Sequence, residues 1–385
     1  MQSAFRLGRI LGIPIAVNYT WFVAVWIGAW SLAVSYYPGR APGFDAGTYW
    51  TMGIASVLLL FASVLVHEFG HALTARRFGI RTRVIVLFLF GGVAQIADEP
   101  PTPRAEFLVA VAGPLTSLAV AAACFVLSPV FGSSALGHIV QYLALANLLL
   151  GIFNLLPGFP LDGGRVLRAA LWRRTGSLPR ATRLAARAGQ VVALLFIGAG
   201  LYQVLLNNVI GGLWLVLIGW FLDSGAQASY QQVVLRQGLG GVRIREIMSH
   251  DLHTLDPNLT VEQAITDYFL PHKHGGFPVV FGDHLVGILT LQDVVAVPAD
   301  QRAGVVVRDV MTPRDRLKTV SIEDTAYGAF TRMMQDGVGR LLVLDQEGNL
   351  AGIVTRSDLL HVMRLRGEGE DGRGSDGERH DQEQE

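Results

Sequence analysis

The chain has 385 residues, of which 51% are hydrophobic and only 16% are charged. Soluble domains carry about 25% charged residues, so the composition excludes a single soluble domain. The formal net charge of zero is a cancellation, because residues 1–235 hold 15 Arg against 7 acidic residues and residues 236–385 hold 16 basic against 24 acidic residues. No large basic surface is left for nucleic acid, so we expect no nucleic-acid partner. One cysteine, Cys124, excludes intrachain disulfides.

Six apolar stretches in the first half are each long enough to cross a lipid bilayer, which requires about 20 helical residues. They are residues 18–36, 51–75, 106–127, 136–156, 188–207 and 209–229. Arginines lie before the first stretch and after the second, fourth and sixth, whereas the other connections hold only Arg40. The positive-inside rule then places both termini in the cytoplasm. The sequence predicts a multi-pass protein of the cell membrane with six transmembrane helices.

A short β-branched segment, residues 82–96, separates the second and third stretches. It is too short to span and is interrupted by Gly91 and Gly92, which predicts one or two strands in a small sheet at the cytoplasmic face. Residues 10–17 are predicted to add an edge strand. We expect residues 1–235 to form one membrane domain.

The second half contains two copies of a unit of about 60 residues, with short apolar strands alternating with amphipathic helices. Gly287–Asp293 in the first copy matches Gly352–Asp358 in the second. The pattern predicts a cytoplasmic α+β domain pair over residues 237–366, with copies at about 242–298 and 305–365. Residues 367–385 contain no apolar side chain and are predicted to be a disordered acidic tail.

The second apolar stretch contains the sequence His67-Glu68-Phe69-Gly70-His71. Histidines four residues apart lie on one helix face, so both imidazoles can bind one Zn²⁺. Glu68 beside them is placed to act as a general base toward water. A chance match, or histidines that only make core hydrogen bonds, is the alternative, but ionisable side chains at membrane depth usually mark function.

A catalytic zinc site needs a third protein ligand, and Asp162 is the candidate. It follows a helix break, because residues 157–164 contain two prolines and three glycines. Unwound backbone at membrane depth is tolerated where protein or a polar cavity covers it, so Asp162 is expected to face inward. An Asp-Gly pair alone would indicate only a turn.

The two motifs together, HEFGH and NLLPGFPLDGGR, resemble the site-2 protease family of intramembrane zinc metalloproteases over residues 10–230. The resemblance implies one zinc per chain bound by His67, His71 and Asp162, with Glu68 as catalytic base. It also implies that Asn154 binds the substrate carbonyl or oxyanion, with interhelical hydrogen bonding as the alternative. The strand at Gly91 and Gly92 would pair with an unwound substrate, unless these glycines form only a hairpin turn.

The repeated half resembles a tandem pair of CBS domains, because Gly-apolar-apolar-Thr-x-x-Asp recurs in both copies. The resemblance implies binding of AMP, ADP or ATP through Thr290, Asp293, Thr355 and Asp358, and it suggests a homodimer through these domains. The alternative is that the four residues only cap the helices that follow them.

The sequence thus favours a regulated intramembrane protease that cleaves the transmembrane segment of a single-pass protein and responds to an adenine nucleotide. An ion transporter or channel gated by CBS domains, with intramembrane His and Asp as ion ligands, would also explain six spans. It would not explain Glu68 between two histidines. A catalytically inactive scaffold would not need all four site residues.

Overall fold

The computed structural model describes residues 4–89, 91–96, 99–272, 274–282 and 284–365. The chain divides into two compact units, Met1–Gln231 and Gln232–Glu385. The predicted acidic tail at 367–385 lies outside the described residues.

The membrane unit opens with a hairpin that belongs to a four-stranded sheet of order β1-β2-β3-β4. The strands are β1 (Ala4–Ile10), β2 (Ile13–Asn18), β3 (Thr82–Phe88) and β4 (Gly91–Ile96). β2 pairs antiparallel with β1 and parallel with β3, and β4 pairs antiparallel with β3. The strand predicted at residues 10–17 is therefore interior and not an edge, because β1 covers its outer side. β4 is one edge of the sheet.

Within the described residues, eight α-helices follow the hairpin as far as Leu239. They are α1 (Tyr19–Ser31), α2 (Tyr37–Arg40), α3 (Ala46–Arg77), α4 (Pro103–Phe131), α5 (Ala135–Asn154), α6 (Asp162–Thr175), α7 (Leu178–Leu205) and α8 (Val209–Leu239). Within the described residues, α3, α4, α5, α7 and α8 are the five helices long and apolar enough to cross a membrane. By this measure the predicted count of six spans is one too high.

The difference lies in the first predicted span. α1 has only 13 residues and is followed by a π-helical turn, Leu32–Tyr36, before α2. Pro38 is at the start of α2 and has no backbone N–H to donate to the preceding turn, which explains why a single α-helix does not run through this segment.

Small residues bring the long helices close together. An added side-chain carbon at Gly70 of α3 would meet the backbone of Ala112 on α4, and one at Gly53 would meet the backbone of Ala29 on α1. Such close approach lets helices pack by van der Waals contact where no hydrophobic effect drives them together. α3 and α4 are thereby fixed side by side.

The second unit holds two similar α/β layers. Its strands are β5 (Gly276–Phe281), β6 (His284–Thr290), β7 (Thr312–Pro313), β8 (Thr319–Ser321), β9 (Arg340–Leu344) and β10 (Leu350–Thr355). Its helices are α9 (Val261–Ala264), α10 (Leu270–His272), α11 (Leu291–Ala296), α12 (Val307–Val310), α13 (Ala326–Asp336) and a last helix over 356–365. The sheets have the orders β5-β6-β7 and β10-β9-β8. Leu285, Ile288 and Leu342 form a shared apolar cluster between them.

Candidate metal centre

The helix α3 presents His67, Glu68 and His71 near the arginines of its last turn, and all three side chains are buried. The two imidazole rings lie one helical turn apart, with centroids 4.9 Å apart. Their Nε2 atoms are 3.2 Å apart. Both rings therefore point the same nitrogen at one location.

Asp162 reaches the same location from α6. α5 ends at Asn154 and α6 begins at Asp162, so the intervening Pro-Gly-rich segment turns the chain and delivers the carboxylate. Asp162 Oδ2 lies 3.2 Å from His67 Nε2 and 3.1 Å from His71 Nε2.

The other nitrogen of each imidazole is bonded to α4. His71 Nδ1 donates to the Val109 carbonyl oxygen at 2.7 Å, and His67 Nδ1 lies 2.8 Å from Ser117 Oγ. A proton on Nδ1 leaves the Nε2 lone pair free, which is the arrangement that metal-binding histidines require. Two imidazole nitrogens and one carboxylate oxygen form a donor set suited to Zn²⁺. Within the described residues, these three side chains are the group able to hold a metal ion.

Gly113 of α4 packs directly against both imidazoles. A side-chain carbon at this position would collide with the Nε2 atoms of His67 and His71. Val109, Gly113 and Ser117 are four residues apart and lie on one face of α4. That face supports the donor cluster without contributing a donor.

Glu68 lies beside the cluster and is held by β4. Its Oε2 accepts a hydrogen bond from the Ala94 backbone N–H at 2.9 Å. A side-chain carbon on Gly92 would lie 2.8 Å from Glu68 Cγ. The Ala94 N–H is directed at Glu68 and away from β3, so the outer edge of β4 faces the Glu68 carboxyl group.

The three residues predicted to contact substrate lie in different surroundings. Gly92 lies against Glu68, whereas Gly91, with φ +130°, opens β4 opposite Phe88. Asn154 Nδ2 donates to the Leu150 carbonyl oxygen of its own helix at 3.0 Å. This bond lies within α5 and is not an interhelical bond, and the role of Asn154 in binding substrate stays a prediction.

The sequence alone does not identify the supporting groups Ser117, Val109, Gly113 and Ala94. Ser117 carried a weak signal, because a serine in an apolar span usually finds a partner on a neighbouring helix. Val109 and Ala94 act through backbone atoms, which leave no trace in residue type.

The four residues predicted for nucleotide binding form two matching pairs in the second unit. Thr290 Oγ1 donates to Asp293 Oδ2 at 2.7 Å, and Thr355 Oγ1 donates to Asp358 Oδ2 at 2.8 Å. Each aspartate also accepts the backbone N–H of its threonine. Both pairs are reciprocal caps at a helix start.

Comparison with known proteins agrees with this architecture. The model of peptidase family M50 matches residues 55–135 and 129–197, and the CBS domain model matches residues 244–300 and 307–365. A protein of Mycobacterium tuberculosis, "Putative zinc metalloprotease Rip3", is 38% identical over 95% of both chains. Zinc metalloprotease MJ0392 of Methanocaldococcus jannaschii is 32% identical over 95% of this chain and 97% of its own. A solved site-2 protease from Methanocaldococcus jannaschii is 31% identical, with TM-score 0.43, over 59% of this chain and 95% of that chain.

The chain belongs to peptidase family M50, the site-2 protease family, and carries two CBS domains. It is a multi-pass membrane metalloprotease of a family that acts on membrane proteins within the bilayer. The predictions of the family, the fold class apart from the span count, and the enzyme class are confirmed.

Proposed function

We propose that His67, His71 and Asp162 bind one Zn²⁺ and that the chain hydrolyses a peptide bond within a membrane-spanning substrate. The observation that carries this proposal is the convergence of three donor atoms from two helices to within 3.2 Å of one another. Zinc bound there supplies Lewis acidity, which polarises a carbonyl and favours the ionisation of water. The protein residues are proposed to supply proton transfer and substrate binding.

Glu68 is the general base in this proposal. Its carboxylate is adjacent in sequence to His67 and buried beside the donor cluster, so a proton can pass to it from water at the site. The Ala94 N–H holds one carboxylate oxygen, which leaves the other available to accept that proton. After bond cleavage the same carboxyl group can protonate the leaving amine.

The outer edge of β4 is proposed to bind the substrate as an added strand. A transmembrane helix must unwind before its backbone can be cleaved, and its freed N–H and C=O groups then need partners. An edge strand offers such partners. Because the edge at Gly92 and Ala94 faces Glu68, a strand paired there would present its backbone to the catalytic base.

The catalytic role of Glu68 can be tested with Glu68→Gln in cells that also express a single-pass membrane substrate. Loss of general-base catalysis is expected to slow cleavage by about 10²- to 10⁴-fold while zinc remains bound. Asp223→Asn is a matched control, because Asp223 on α8 bonds only to Gln227 of its own helix in the described contacts. Unimpaired cleavage by Glu68→Gln would overturn the mechanism.

The active site is proposed to open toward the cytoplasm, with both termini on that side. The last turn of α3 carries Arg76 and Arg77, only a few residues beyond His71. Arg173 and Arg174 likewise follow Asp162 in the last turn of α6. Inverted vesicles carry the cytoplasmic face of the membrane on the outside, so a single engineered cysteine near Arg77 should react with a label added outside. Labelling only from the inside would contradict this orientation.

The CBS pair is proposed to bind an adenine nucleotide and to regulate cleavage. Arg340 favours an anionic ligand, because its half-buried guanidinium lies against Gly276, which pairs with Thr290 in the sheet. A phosphate group would be a favourable counter-ion for this half-buried cation. Its Nη1 donates to the Gly276 carbonyl oxygen at 3.4 Å.

Calorimetry on the full-length chain with AMP, ADP and ATP tests this proposal. Arg340→Met is expected to weaken binding about tenfold by removing one charge-assisted bond. Thr325→Ala, which removes a cap that has no partner aspartate, should leave nucleotide affinity unchanged. Absence of heat with all three nucleotides would contradict the sensor role and leave the protease proposal intact.

A further inference from the structure

A buried ion pair joins α4 to α6 outside the donor cluster. Glu106 is fully buried and Arg168 is 7% exposed. Arg168 Nε donates to Glu106 Oε1 at 2.6 Å, and Arg168 Nη2 contacts the same oxygen. The guanidinium also lies over the ring of Phe159, 5.2 Å from its centroid. The pair therefore links α4, α6 and the irregular segment that precedes α6.

Stability alone does not explain this pair. Burying two charges has a large desolvation cost, and an apolar pair of similar size is often as stable. Within the described residues, Glu106 Oε2 has no hydrogen-bond partner although it is buried. The pair is thus an imperfectly satisfied ionic contact whose benefit lies in the geometry that it fixes.

The geometry in question is that of Asp162. Asp162 begins α6, six residues before Arg168, and the N-cap of this helix, Leu161, provides no side-chain cap. Gly163 and Gly164 in the first turn pack closely against the backbone of residues 155–159, and contacts farther along α6 also hold the helix in place. On α4, Glu106 lies one turn before Val109, whose carbonyl binds His71. One helix thus fixes the histidines directly and α6 through Arg168.

We propose that Glu106 and Arg168 are positioning residues for the third metal donor. Their ion pair fixes α6 against α4, so that Asp162 Oδ2 stays within reach of both imidazoles. This proposal rests on the zinc centre proposed above. In this proposal α4 aligns all three metal-binding side chains, although it contributes no metal ligand itself.

Zinc affinity of the metal-stripped full-length chain in detergent, measured by chelator competition, tests the proposal without reference to cleavage. Glu106→Gln and Arg168→Met are each expected to weaken zinc binding by about 10- to 100-fold, as loss of a supporting partner does at other metal sites. Arg168→Lys keeps the charge without the planar fork, so it should fall between Arg168→Met and the unchanged chain. Asp223→Asn and Arg183→Met are matched controls, since Arg183 contacts only the Tyr230 hydroxyl and ring in the described structure.

A general loss of folding would also weaken zinc binding, so a second variant separates the two causes. Glu106→Leu with Arg168→Met replaces the pair by apolar side chains and is expected to retain the thermal midpoint of unfolding while zinc affinity stays lowered. Unchanged zinc affinity in this double variant, with Asp162→Asn losing zinc, would overturn the positioning role alone. Zinc affinity that is also unchanged in Asp162→Asn would overturn the metal centre itself.

Discussion

The metal-site residues of the membrane unit and the threonine–aspartate pairs of the second unit differ in how far apart in sequence their hydrogen-bond partners lie. In the membrane unit His67 bonds to Ser117 and to Asp162, which are 50 and 95 residues away in sequence. In the second unit Thr290 bonds to Asp293, three residues away. Hydrogen bonds between residues far apart in sequence, such as those of His67, can form only when different helices have packed together. Hydrogen bonds between residues three apart, such as Thr290 and Asp293, form together with the helix that they cap. Substitutions should therefore change chemistry in the first unit and local stability in the second.

Gly113→Ala should have the largest effect, because it places a methyl group where the two imidazoles meet. The close-packed helices cannot relax enough to accommodate it, so zinc affinity is expected to fall by about 100-fold or more and cleavage with it. Metal analysis after purification measures this loss. Gly198→Ala on α7 is a matched control, since a side-chain carbon there meets no atom within 4 Å. Full zinc occupancy in Gly113→Ala would mean that the donors lie elsewhere.

Gly92→Ala tests the contact between β4 and the base. The added carbon would lie 2.8 Å from Glu68 Cγ and 3.2 Å from a Val64 methyl carbon, so Glu68 must shift. A displacement of about 1 Å can reduce turnover about 100-fold, and we expect kcat to fall by that order while zinc stays bound. Turnover equal to that of the unchanged chain, measured with zinc saturating, would show that β4 does not set the position of Glu68.

Ser117→Ala should have a smaller effect on the same site. It removes the partner of His67 Nδ1 and leaves the His71 bond to Val109 intact. We expect zinc affinity to fall about tenfold, by loss of ring orientation. Ser128→Ala on the same helix is the control, because Ser128 bonds only to the Phe125 carbonyl oxygen in the described contacts. Equal affinities for the two variants would contradict the role of Ser117.

Thr290→Ala represents the second unit and should have the smallest effect. Loss of the cap is expected to destabilise the start of α11 by about 1 kcal/mol without altering zinc content. Faster amide hydrogen exchange confined to α11 measures it. Thr325→Ala should produce a similar change at α13. A fall in zinc content in either variant would break the contrast between the units.

The sequence predicts most of the membrane unit because its signals are local. Helical spacing places His67 and His71 on one face, and the break before Asp162 marks an inward-facing acid. Hydropathy predicts a plain helix for the first span, because it does not register the π-helical turn before Pro38. The sequence does not predict β1 as a strand, because residues 4–10 read Ala-Phe-Arg-Leu-Gly-Arg-Ile, in which adjacent Gly8 and Arg9 interrupt the alternation typical of a strand.

The supporting groups of the site could not be predicted in the same way. Val109 and Ala94 contribute backbone atoms, and Glu106 and Arg168 meet across 62 residues. Their roles depend on which faces of α3, α4 and α6 meet. Which faces meet depends on how the helices pack. Small residues such as Gly70 and Gly113 allow the close approach, but their partners are known only from the folded structure.

Zinc stoichiometry of the purified full-length chain, compared with that of Asp162→Asn, tests the central claim most directly. The unchanged chain and Glu68→Gln should each hold about one zinc, because catalytic zinc needs three protein donors and Glu68 is not one of them. Asp162→Asn should lose the metal, since a neutral amide is a weaker ligand than a carboxylate. Equal zinc content in all three proteins would contradict the account.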